Sequence, residues 1–513
     1  MNQEIKLKRR DFVKLSGSSV VALSAPWLWS CAHSSLKDNP AQGIAYFGQF
    51  GVDESMIRET LVAAMSRGGE YAEVFFQHRV ATTMALEDRQ VNQAYSSTSL
   101  GVGVRVIRGD QTGYGYTETF TLDALKHAAL TAAAIAKGPA RSPQALQAIA
   151  GVPNRYPMKI PWAGVNAKDK LDLISSLDKA AFKADSRIVK TNVYLSDENS
   201  VILVADSRGR VSTDTQPMTS LGISCTAEMK GRRESNGEGI AARSGFEFYS
   251  EDALKHLVQR VVSRTVVLFD SVKAPVGEMP VVLAAGGSGI LLHEAIGHGM
   301  EADFNRKGMS VFSDKIGKKV AAPFVSIVDD GTLPASRGSL NIDDEGNIAD
   351  RTVLVDRGTL ASYMHDEISA KHYKIKPTGN GRRESFAHFP MPRMRTTYML
   401  PGPHQKEEVI ASTKKGIYCE HFTNGQVNIG PGDFTFYVKN GYLIENGKLT
   451  QPVTDINLIG NGPQILGKID MVGNDLEIHS STWTCGKNGQ SVPVSFGIPT
   501  VRVSSITVGG QKA

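Results

Sequence analysis

Two histidines and a glutamate lie within six residues of this chain, at His293, Glu294 and His298. This spacing constrains the fold because five residues of a regular α-helix turn the chain by about 500°, so the two imidazoles would not share a face. A local π-helical turn brings positions i and i+5 together, and such turns are frequent at functional sites. Gly297 has no Cβ and would ease the distortion. The segment therefore predicts an irregular helix that presents both imidazoles on one side.

These side chains are the ones that a hydrolytic metal centre needs. Two imidazoles can hold Zn²⁺, and bound zinc lowers the pKa of a water ligand toward ~7. A carboxylate next to the first histidine can accept the proton of that water, so Glu294 is the candidate base. A catalytic zinc needs a third protein ligand. Cys485 is the best candidate because a thiolate beside two imidazoles suits Zn²⁺ and small, turn-forming residues surround it, but spacing alone does not exclude Cys419 or a distant histidine.

Four long segments of the chain resemble the TldD branch of the TldD/PmbA family of metallopeptidases. They read GSGILLHEAIGHGMEADFNRKGMSVFSDKIGKKVA (287–321), VSIVDDGTLPASRGSLNIDDEG (325–346), GNGRRESFAHFPMPRMRTTYML (379–400) and MVGNDLEIHSSTWTCGKNGQSVPVSFGIPTVRV (471–503). By this resemblance, His293, His298 and Cys485 hold one Zn²⁺ per chain, and Glu294 is the catalytic base.

The resemblance also implies a fold, a substrate class and a partner. The fold is α+β, with an N-terminal α/β domain followed by a C-terminal, mainly antiparallel β domain that carries the metal-binding helix. Short or unfolded peptides are the implied substrates. TldD-like chains commonly pair with a PmbA/TldE-like paralogue that lacks the metal motif, so the partner is such a paralogue in a heterodimer or a second copy in a homodimer. The resemblance therefore favours a zinc-dependent peptidase, and the alternative is a non-catalytic or regulatory metal-binding subunit of such a complex.

Residues 1–31 have the layout of an export signal. Arg9 and Arg10, followed by Phe12 and Lys14, resemble a twin-arginine motif, and the apolar stretch after them is too short to span a bilayer of ~30 Å. Leu28-Trp29-Ser30-Cys31 fits a lipobox with Cys31 as the lipidated residue, whereas Ser30-Cys31-Ala32 also fits an ordinary cleavage site. We expect a periplasmic or extracytoplasmic protein that meets a membrane at most through a lipid anchor, with residues 32–48 as a polar tether.

Charge and cysteine content exclude other classes of protein. The formal charge of the chain is +5, but the first 30 residues hold five basic and two acidic side chains, and the remainder carries 52 basic against 50 acidic. This balance argues against a nucleic-acid partner. With Cys31 lipidated, three cysteines remain and none has a paired spacing, so we expect no disulfide framework.

Periodicity along the chain predicts two domains. Residues 49–274 contain helical stretches (53–66, 123–137, 168–185 and 250–269) between runs in which polar and apolar residues alternate. Of these runs, 71–79 and 81–89 predict a strand pair, and 187–195 and 200–206 predict two further strands. Residues 275–513 begin at a break containing Pro275 and Gly277 and are dominated by short strands. Turns are expected at residues 329–331, 440–441 and 446–447, and helices only at the motif and near 404–414.

Two further groups of charged residues lie in the second half of the chain. Arg382, Arg383 and His388 follow a Gly-Asn-Gly loop and are candidates for binding a peptide carboxylate or an oxyanion, with an ion-paired structural loop as the alternative. The acidic run 343–345 lacks the spacing of a calcium-binding EF-hand, so a solvated turn is expected there.

Overall fold

The computed structural model of the protein describes residues 41–509. The predicted export signal, with Cys31, and residues 32–40 of the predicted tether lie outside this range. The end of the tether prediction is wrong, because Ala41–Gly48 forms a helix whose Phe47 is fully buried and packs on Phe76. Within residues 41–509, no helix combines the length and apolar character needed to cross a lipid bilayer.

A seven-stranded, almost wholly antiparallel sheet occupies the first half of the chain. Its strands follow the order β3-β2-β1-β5-β6, and both β4 and β7 pair with β6. Only β4 runs parallel to its neighbour. The strands are β1 (Tyr71–Glu87), β2 (Gln90–Arg108), β3 (Gln111–Thr117), β4 (Gln147–Ala148), β5 (Ile188–Asp206), β6 (Arg210–Met229) and β7 (Arg232–Ala242).

Two of these strands are longer than the sequence predicted. β1 is unbroken where a strand pair was expected at 71–79 and 81–89, since it pairs with β2 over its whole length. β5 likewise joins two runs that were predicted separately. The polar residues at its middle resemble a turn in the sequence, but Asp197 accepts from Lys170 at 2.6 Å and Glu198 pairs with Arg79. Cross-strand and helix contacts therefore keep this polar stretch extended.

Five helices accompany the sheet, and four of them match the predicted stretches. Each of these four has a capping side chain, Asp53, Thr121, Asn166 or Ser250, which accepts from the backbone N–H three residues later. The helices are α1 (Ala41–Gly48), α2 (Glu54–Met65), α3 (Leu122–Ala133), α4 (Ala167–Ala184) and α5 (Glu251–Val266). The apolar faces of α4 and α5 share one core with β5 and β6.

The second half of the chain is rich in strands, and five of them close into a ring. β16 pairs with β9, β9 with β25, β25 with β19, β19 with β17, and β17 again with β16. A second sheet has the order β12-β11-β10-β15-β24-β21. Most pairs are antiparallel, which confirms the expected α+β fold with a mainly antiparallel C-terminal part. The strands are β8 (Val272–Lys273), β9 (Gly277–Leu283), β10 (Ile327–Asp330), β11 (Arg351–Asp356), β12 (Thr359–Leu360), β13 (Gly381–Arg382), β14 (Met391–Pro392), β15 (Thr396–Met399), β16 (Lys415–Asn428), β17 (Asp433–Glu445), β18 (Lys448–Thr454), β19 (Ile456–Asn461), β20 (Ile469–Val472), β21 (Glu477–His479), β22 (Thr484–Lys487), β23 (Gln490–Pro493), β24 (Ser495–Ile498) and β25 (Val501–Gly509).

The helices of this half are more numerous than expected. The helical segment 287–300, called the motif helix below, and a short helix within 404–414 were predicted, but two helices of seven residues were not. Seven residues are only two turns, too few for a clear 3.6-residue period. The shorter helices are α6 (Ala302–Asn305), α7 (Glu367–Tyr373), α8 (Lys406–Ala411) and α9 (Gly462–Lys468).

Two of the predicted turns differ in outcome. Asn446-Gly447 joins β17 to β18, and both residues have positive φ, as a two-residue hairpin turn requires. Asn440-Gly441 instead lies inside β17, where the buried side chain of Asn440 donates to the carbonyl of Arg264 at 2.9 Å. A long-range contact therefore overrides the local turn signal.

The expectation of a solvated turn at 343–345 is wrong. Asp343 and Glu345 are fully buried, and Arg105 of β2 donates to both Glu345 and Glu73 at 2.7 Å. Asp343 accepts from the backbone N–H of Gly381 at 3.0 Å. This acidic run is thus an internal junction between the first sheet and the loops of the second half.

Candidate metal centre

The motif helix begins just after β9 and changes its winding along its length. Gly287–Gly289 is a 3₁₀ turn, Ile290–Leu292 is α-helical, His293–Gly297 is a π-helical turn and His298–Met300 is again 3₁₀. The π-helical turn confirms the distortion that the histidine spacing requires. It places the rings of His293 and His298 with centroids 5.0 Å apart. Its apolar side chains anchor it in the core of the second half.

Cys485 approaches these rings from the hairpin formed by β22 and β23. The turn Asn488-Gly489 has positive φ at both residues and sets the register that pairs Cys485 with Val492. The fully buried Arg393 donates to the carbonyl of Cys485 at 2.6 Å and thereby holds the hairpin. Cys485 thus lies within a strand, and the small residues around it do not form a turn at the cysteine itself.

The three predicted ligands converge. One donor atom from each of His293, His298 and Cys485 lies within 4.8 Å of the other two, and all three residues are buried. The Sγ atom of Cys485 is 3.4 Å from Nε2 of His298. Within residues 41–509, this is the group of three histidine, cysteine or carboxylate side chains that is compact enough to hold a metal ion.

The other cysteines of residues 41–509 occupy apolar positions. Cys419 lies in the hydrophobic core of the second half of the chain, and Cys225 lies in the core between the first sheet and its helices. Burial raises the pKa of the Cys225 thiol to about 12 and raises that of Cys419 further. Both thiols and that of Cys485 are free, so no disulfide framework is present within the described residues. The sequence left Cys419 open as a ligand, and its position does not join the cluster.

Charge at the cluster favours a thiolate. Burial opposes ionisation of Cys485, but the positive charge of His298 and then of His293 outweighs it and holds the thiol pKa well below its usual value. Burial opposes protonation of His298, but Glu301 and Cys485 raise its pKa well above the ordinary value. The thiolate, together with the two imidazoles once Zn²⁺ has displaced their extra ring protons, forms the soft, nitrogen- and sulfur-rich set that this ion prefers.

The residues present fit a zinc ion. Nδ1 of His293 is buried and has no hydrogen-bond partner among the described residues. Buried polar atoms are nearly always paired, so this ring lacks a partner that the described residues do not supply. Two imidazoles and a thiol whose donor atoms lie within 4.8 Å of one another are the donor set expected around a zinc ion. Three protein donors also match the number found in catalytic zinc sites, which keep a fourth position open.

Glu294 lies on the more open side of the cluster. Its Oε2 is 4.0 Å from Nε2 of His298, and its side chain is 18% exposed, whereas the side chain of His298 is 5% exposed. The carboxylate is therefore next to the cluster and accessible to water. This is the placement that a general base requires, because it must reach both solvent and the reacting group.

Two charged residues behind the cluster were missed by the sequence analysis. Glu301 accepts from Nδ1 of His298 at 2.9 Å and contacts Nζ of Lys487 at 3.0 Å. Burial raises the pKa of Glu301, but Lys487 and His298 outweigh burial and lower it to about 2. The signals were present in the sequence, since Glu301 is three residues after His298 and Lys487 two residues after Cys485. Neither spacing identifies a contact without the fold.

The predicted substrate-binding arginines have intramolecular partners. Arg382 donates to the carbonyls of Met394 at 2.6 Å and Pro493 at 2.8 Å. Arg383 is ion-paired with Glu73 of β1. Both guanidinium groups are buried, as the alternative of a structural loop predicts.

His388 is partly buried and makes a hydrogen bond of 2.9 Å between its Nδ1 and the hydroxyl of Ser385. The contacts of Arg382, Arg383 and His388 hold all three side chains within the packing of the loop. A role of these residues in binding substrate therefore stays a prediction.

Models of known protein families match three successive segments of the chain. Residues 276–510 match the PmbA/TldA metallopeptidase C-terminal domain, residues 72–136 match domain 1, and residues 160–269 match the central domain. A relative from Haemophilus influenzae, named metalloprotease TldD homolog, is 41% identical over 86% of this chain and 94% of its own length.

Two further comparisons concern the metal and the fold. A relative from Saccharolobus solfataricus, named zinc metalloprotease TldD homolog, is 35% identical over 46% of this chain and 52% of its own length. The crystal structure of TldE from Thermococcus kodakarensis has the same fold, with a TM-score of 0.71 at 17% identity over 88% of this chain and all of that one. The matches over all three domains and the full-length relatives establish that this chain belongs to the PmbA/TldD family of metallopeptidases.

Proposed function

We propose that this protein is a zinc-dependent peptidase that hydrolyses peptide bonds in short or unfolded peptides. The observation that carries the proposal is the convergence of His293, His298 and Cys485 to within 4.8 Å, with the carboxylate of Glu294 beside them. Membership in a metallopeptidase family supports the reaction class, and a relative named as a zinc metalloprotease supports the metal. Binding of one Zn²⁺ per chain is part of the proposal.

The chain's own residues have distinct roles in this reaction. Zinc in such a site acidifies water and polarises a carbonyl group. His293, His298 and the thiolate of Cys485 would hold the ion, and three protein donors are the number that a catalytic zinc site uses. Glu294 accepts a proton from the attacking water and returns it to the amine nitrogen as the peptide bond breaks. Burial of the ligands excludes bulk water from the rest of the centre.

The test separates metal binding from catalysis. Glu294→Gln keeps the size of the side chain but removes its basicity. We expect about one zinc per chain in the variant and a loss of peptide hydrolysis of about 10²–10⁴-fold, the usual contribution of a general base. Glu477→Gln is the matched control, since Glu477 is exposed and packs near Gly286 before the motif helix without joining the cluster. It should cleave an unfolded peptide library as the unmodified protein does.

Two outcomes would contradict the proposal. Full activity in Glu294→Gln with zinc bound would refute the role of this carboxylate. Zinc in the unmodified protein without cleavage of any peptide, with or without a paralogue present, would favour the alternative of a non-catalytic or regulatory metal-binding subunit. The retained histidines, glutamate and cysteine favour the peptidase.

We also propose that the active assembly is a dimer, formed with a PmbA/TldE-like paralogue or with a second copy of this chain. Light scattering of the purified chain, alone and mixed with such a paralogue, distinguishes the two assemblies by mass. A chain that stays monomeric and is fully active alone would contradict both.

We propose export by the twin-arginine route on the strength of Arg9, Arg10 and the residues after them. Replacing both arginines with lysine should retain the protein in the cytoplasm, and Cys31→Ala should release it from the membrane fraction if Cys31 is lipidated. Unchanged export of the double-lysine variant would refute the signal, and a soluble unmodified protein would refute the anchor.

A further inference from the structure

We propose that Glu301 is a positioning residue of the metal centre, which acts with Lys487 to fix His298 and the strand of Cys485 relative to each other. The inference rests on the proposed function, because it concerns the same metal centre. It goes beyond the three ligands and the base to the groups that hold two of those ligands in place.

The contact with His298 involves the ring nitrogen that faces away from the thiol. Nδ1 of His298 is 2.9 Å from Oε2 of Glu301, while Nε2 is 3.4 Å from Sγ of Cys485. When Nδ1 carries a proton and donates it to the carboxylate, Nε2 has a free lone pair directed at the cluster. A carboxylate in this position selects the tautomer and the ring orientation of a metal-binding histidine.

Lys487 connects the same carboxylate to the other ligand segment. Cys485 and Lys487 are both buried in β22, two residues apart, so strand alternation places their side chains on one face. Nζ of Lys487 is 3.0 Å from Oε2 of Glu301 and donates to the carbonyl of Pro392 at 3.0 Å. One carboxylate thus contacts two ligand segments that are 187 residues apart in the chain.

The burial of Glu301 and Lys487 argues that their ion pair has a role beyond stability. The side chains of Glu301 and Lys487 are 0% and 2% exposed. Replacing a buried ion pair by well-packed apolar residues is often neutral or stabilising, so stability alone gives no reason for charges here. An apolar replacement of Glu301 could not reproduce the hydrogen bond from His298, which orients a ligand ring.

Zinc affinity is the quantity that distinguishes positioning from packing. We would measure it for the full chain by competition with a chromophoric chelator, in Glu301→Ala, Glu301→Gln and Lys487→Met. Asp303→Asn is the matched control, because Asp303 contacts Lys487 at 2.9 Å but does not touch His298. The Co²⁺-substituted forms report on ligand geometry through their visible spectra, which a change in stability alone would leave unaltered.

We expect Glu301→Ala to bind zinc about 10–100-fold more weakly, the usual effect of losing such an outer contact. Glu301→Gln should lose less, since its amide oxygen still accepts from Nδ1, and Lys487→Met should lose affinity as well. Asp303→Asn should keep both its affinity and its Co²⁺ spectrum.

Unchanged zinc affinity and spectrum in Glu301→Ala would overturn the inference while leaving the peptidase proposal intact. If Glu301→Ala does not fold, unchanged affinity in Glu301→Gln together with Lys487→Met overturns it equally. Absence of zinc binding by the unmodified chain overturns both proposals, because His298 and Cys485 would then have no ion to hold.

Discussion

Gly297 closes the π-helical turn, and replacing it with alanine tests why a glycine is there. The backbone of Gly297 has φ −59° and ψ −51°, which any residue can adopt, so the conformational freedom of glycine is not used. A Cβ at this position would lie 2.1 Å from Sδ of Met394 and 3.3 Å from the carbonyl oxygen of Leu292. Glycine is therefore required at position 297 because a Cβ has no room, and not because of its backbone conformational freedom.

The expected cost follows from the packing of Met394. This side chain is fully buried in the core of the second half and has no open space into which to move. Overpacking of a core by one methyl group costs about 1–3 kcal/mol. Alanine is favoured over glycine inside a helix by about 0.5–1 kcal/mol, which offsets part of the cost. We expect Gly297→Ala to lower the free energy of unfolding by about 1–2 kcal/mol and to weaken zinc binding.

Thermal unfolding in zinc-free buffer measures the stability change. A loss of 1 kcal/mol lowers the midpoint by about 2–4 °C in a domain of this size. Gly467→Ala is the matched control, because Gly467 also lies in a helix and a Cβ there meets nothing within 4 Å. The control should be neutral or slightly more stable.

A second substitution isolates the contact itself. Met394→Ala removes the atom that the new Cβ would meet, so the double variant should be more stable than the sum of the single effects predicts. Additive effects, or a Gly297→Ala protein as stable as the Gly467→Ala control, would refute the explanation by crowding.

Three further predictions concern the metal, pH and the internal junction. Zinc at about 1,000 times its dissociation constant should stabilise the folded protein by about 4 kcal/mol, an effect that Cys485→Ala loses and Cys419→Ala keeps; the reverse pattern would assign the wrong thiol. Burial lowers the pKa of His365 to about 4, so the unfolded chain binds more protons as pH falls from about 6.5, and the stability present above that pH is lost toward pH 4. His365→Phe should therefore gain about 2–3 kcal/mol relative to the unmodified protein between pH 7 and pH 4.5 in chemical denaturation, and parallel pH profiles would contradict this. Arg105→Met leaves the buried Glu345 without its arginine, while Glu73 keeps Arg383, and should cost about 3–5 kcal/mol; a loss below 1 kcal/mol would show that Glu345 is neutral in the fold.

Local signals in the sequence were reliable where one stretch of chain decides the outcome. Capping residues such as Asp53 and Ser250 begin helices because their side chains satisfy backbone groups three residues away. Asn446-Gly447 makes a hairpin turn because both residues tolerate positive φ. These features require no contact from a distant part of the chain.

The predictions that failed concern residues whose structure depends on contacts with distant parts of the chain. Asn440 lies within β17 because it bonds to Arg264, far away in the sequence. The acidic run at 343–345 is buried because Arg105 of the first sheet pairs with Glu345, and distant backbone N–H groups donate to Asp343 and Asp344. Whether a polar residue lies in a turn or in the core depends on the residue with which it pairs. The local sequence does not show which residue that is.

In the candidate metal centre, too, some features follow from the local sequence and others from the tertiary structure. The spacing of His293 and His298 by itself required a distorted helix, since the geometry of a helix fixes which residues share a face. Only the tertiary structure decided which cysteine meets them and placed Glu301 and Lys487 behind them. Periodicity is a property of consecutive residues, whereas the convergence of segments 187 residues apart depends on the packing of the whole chain.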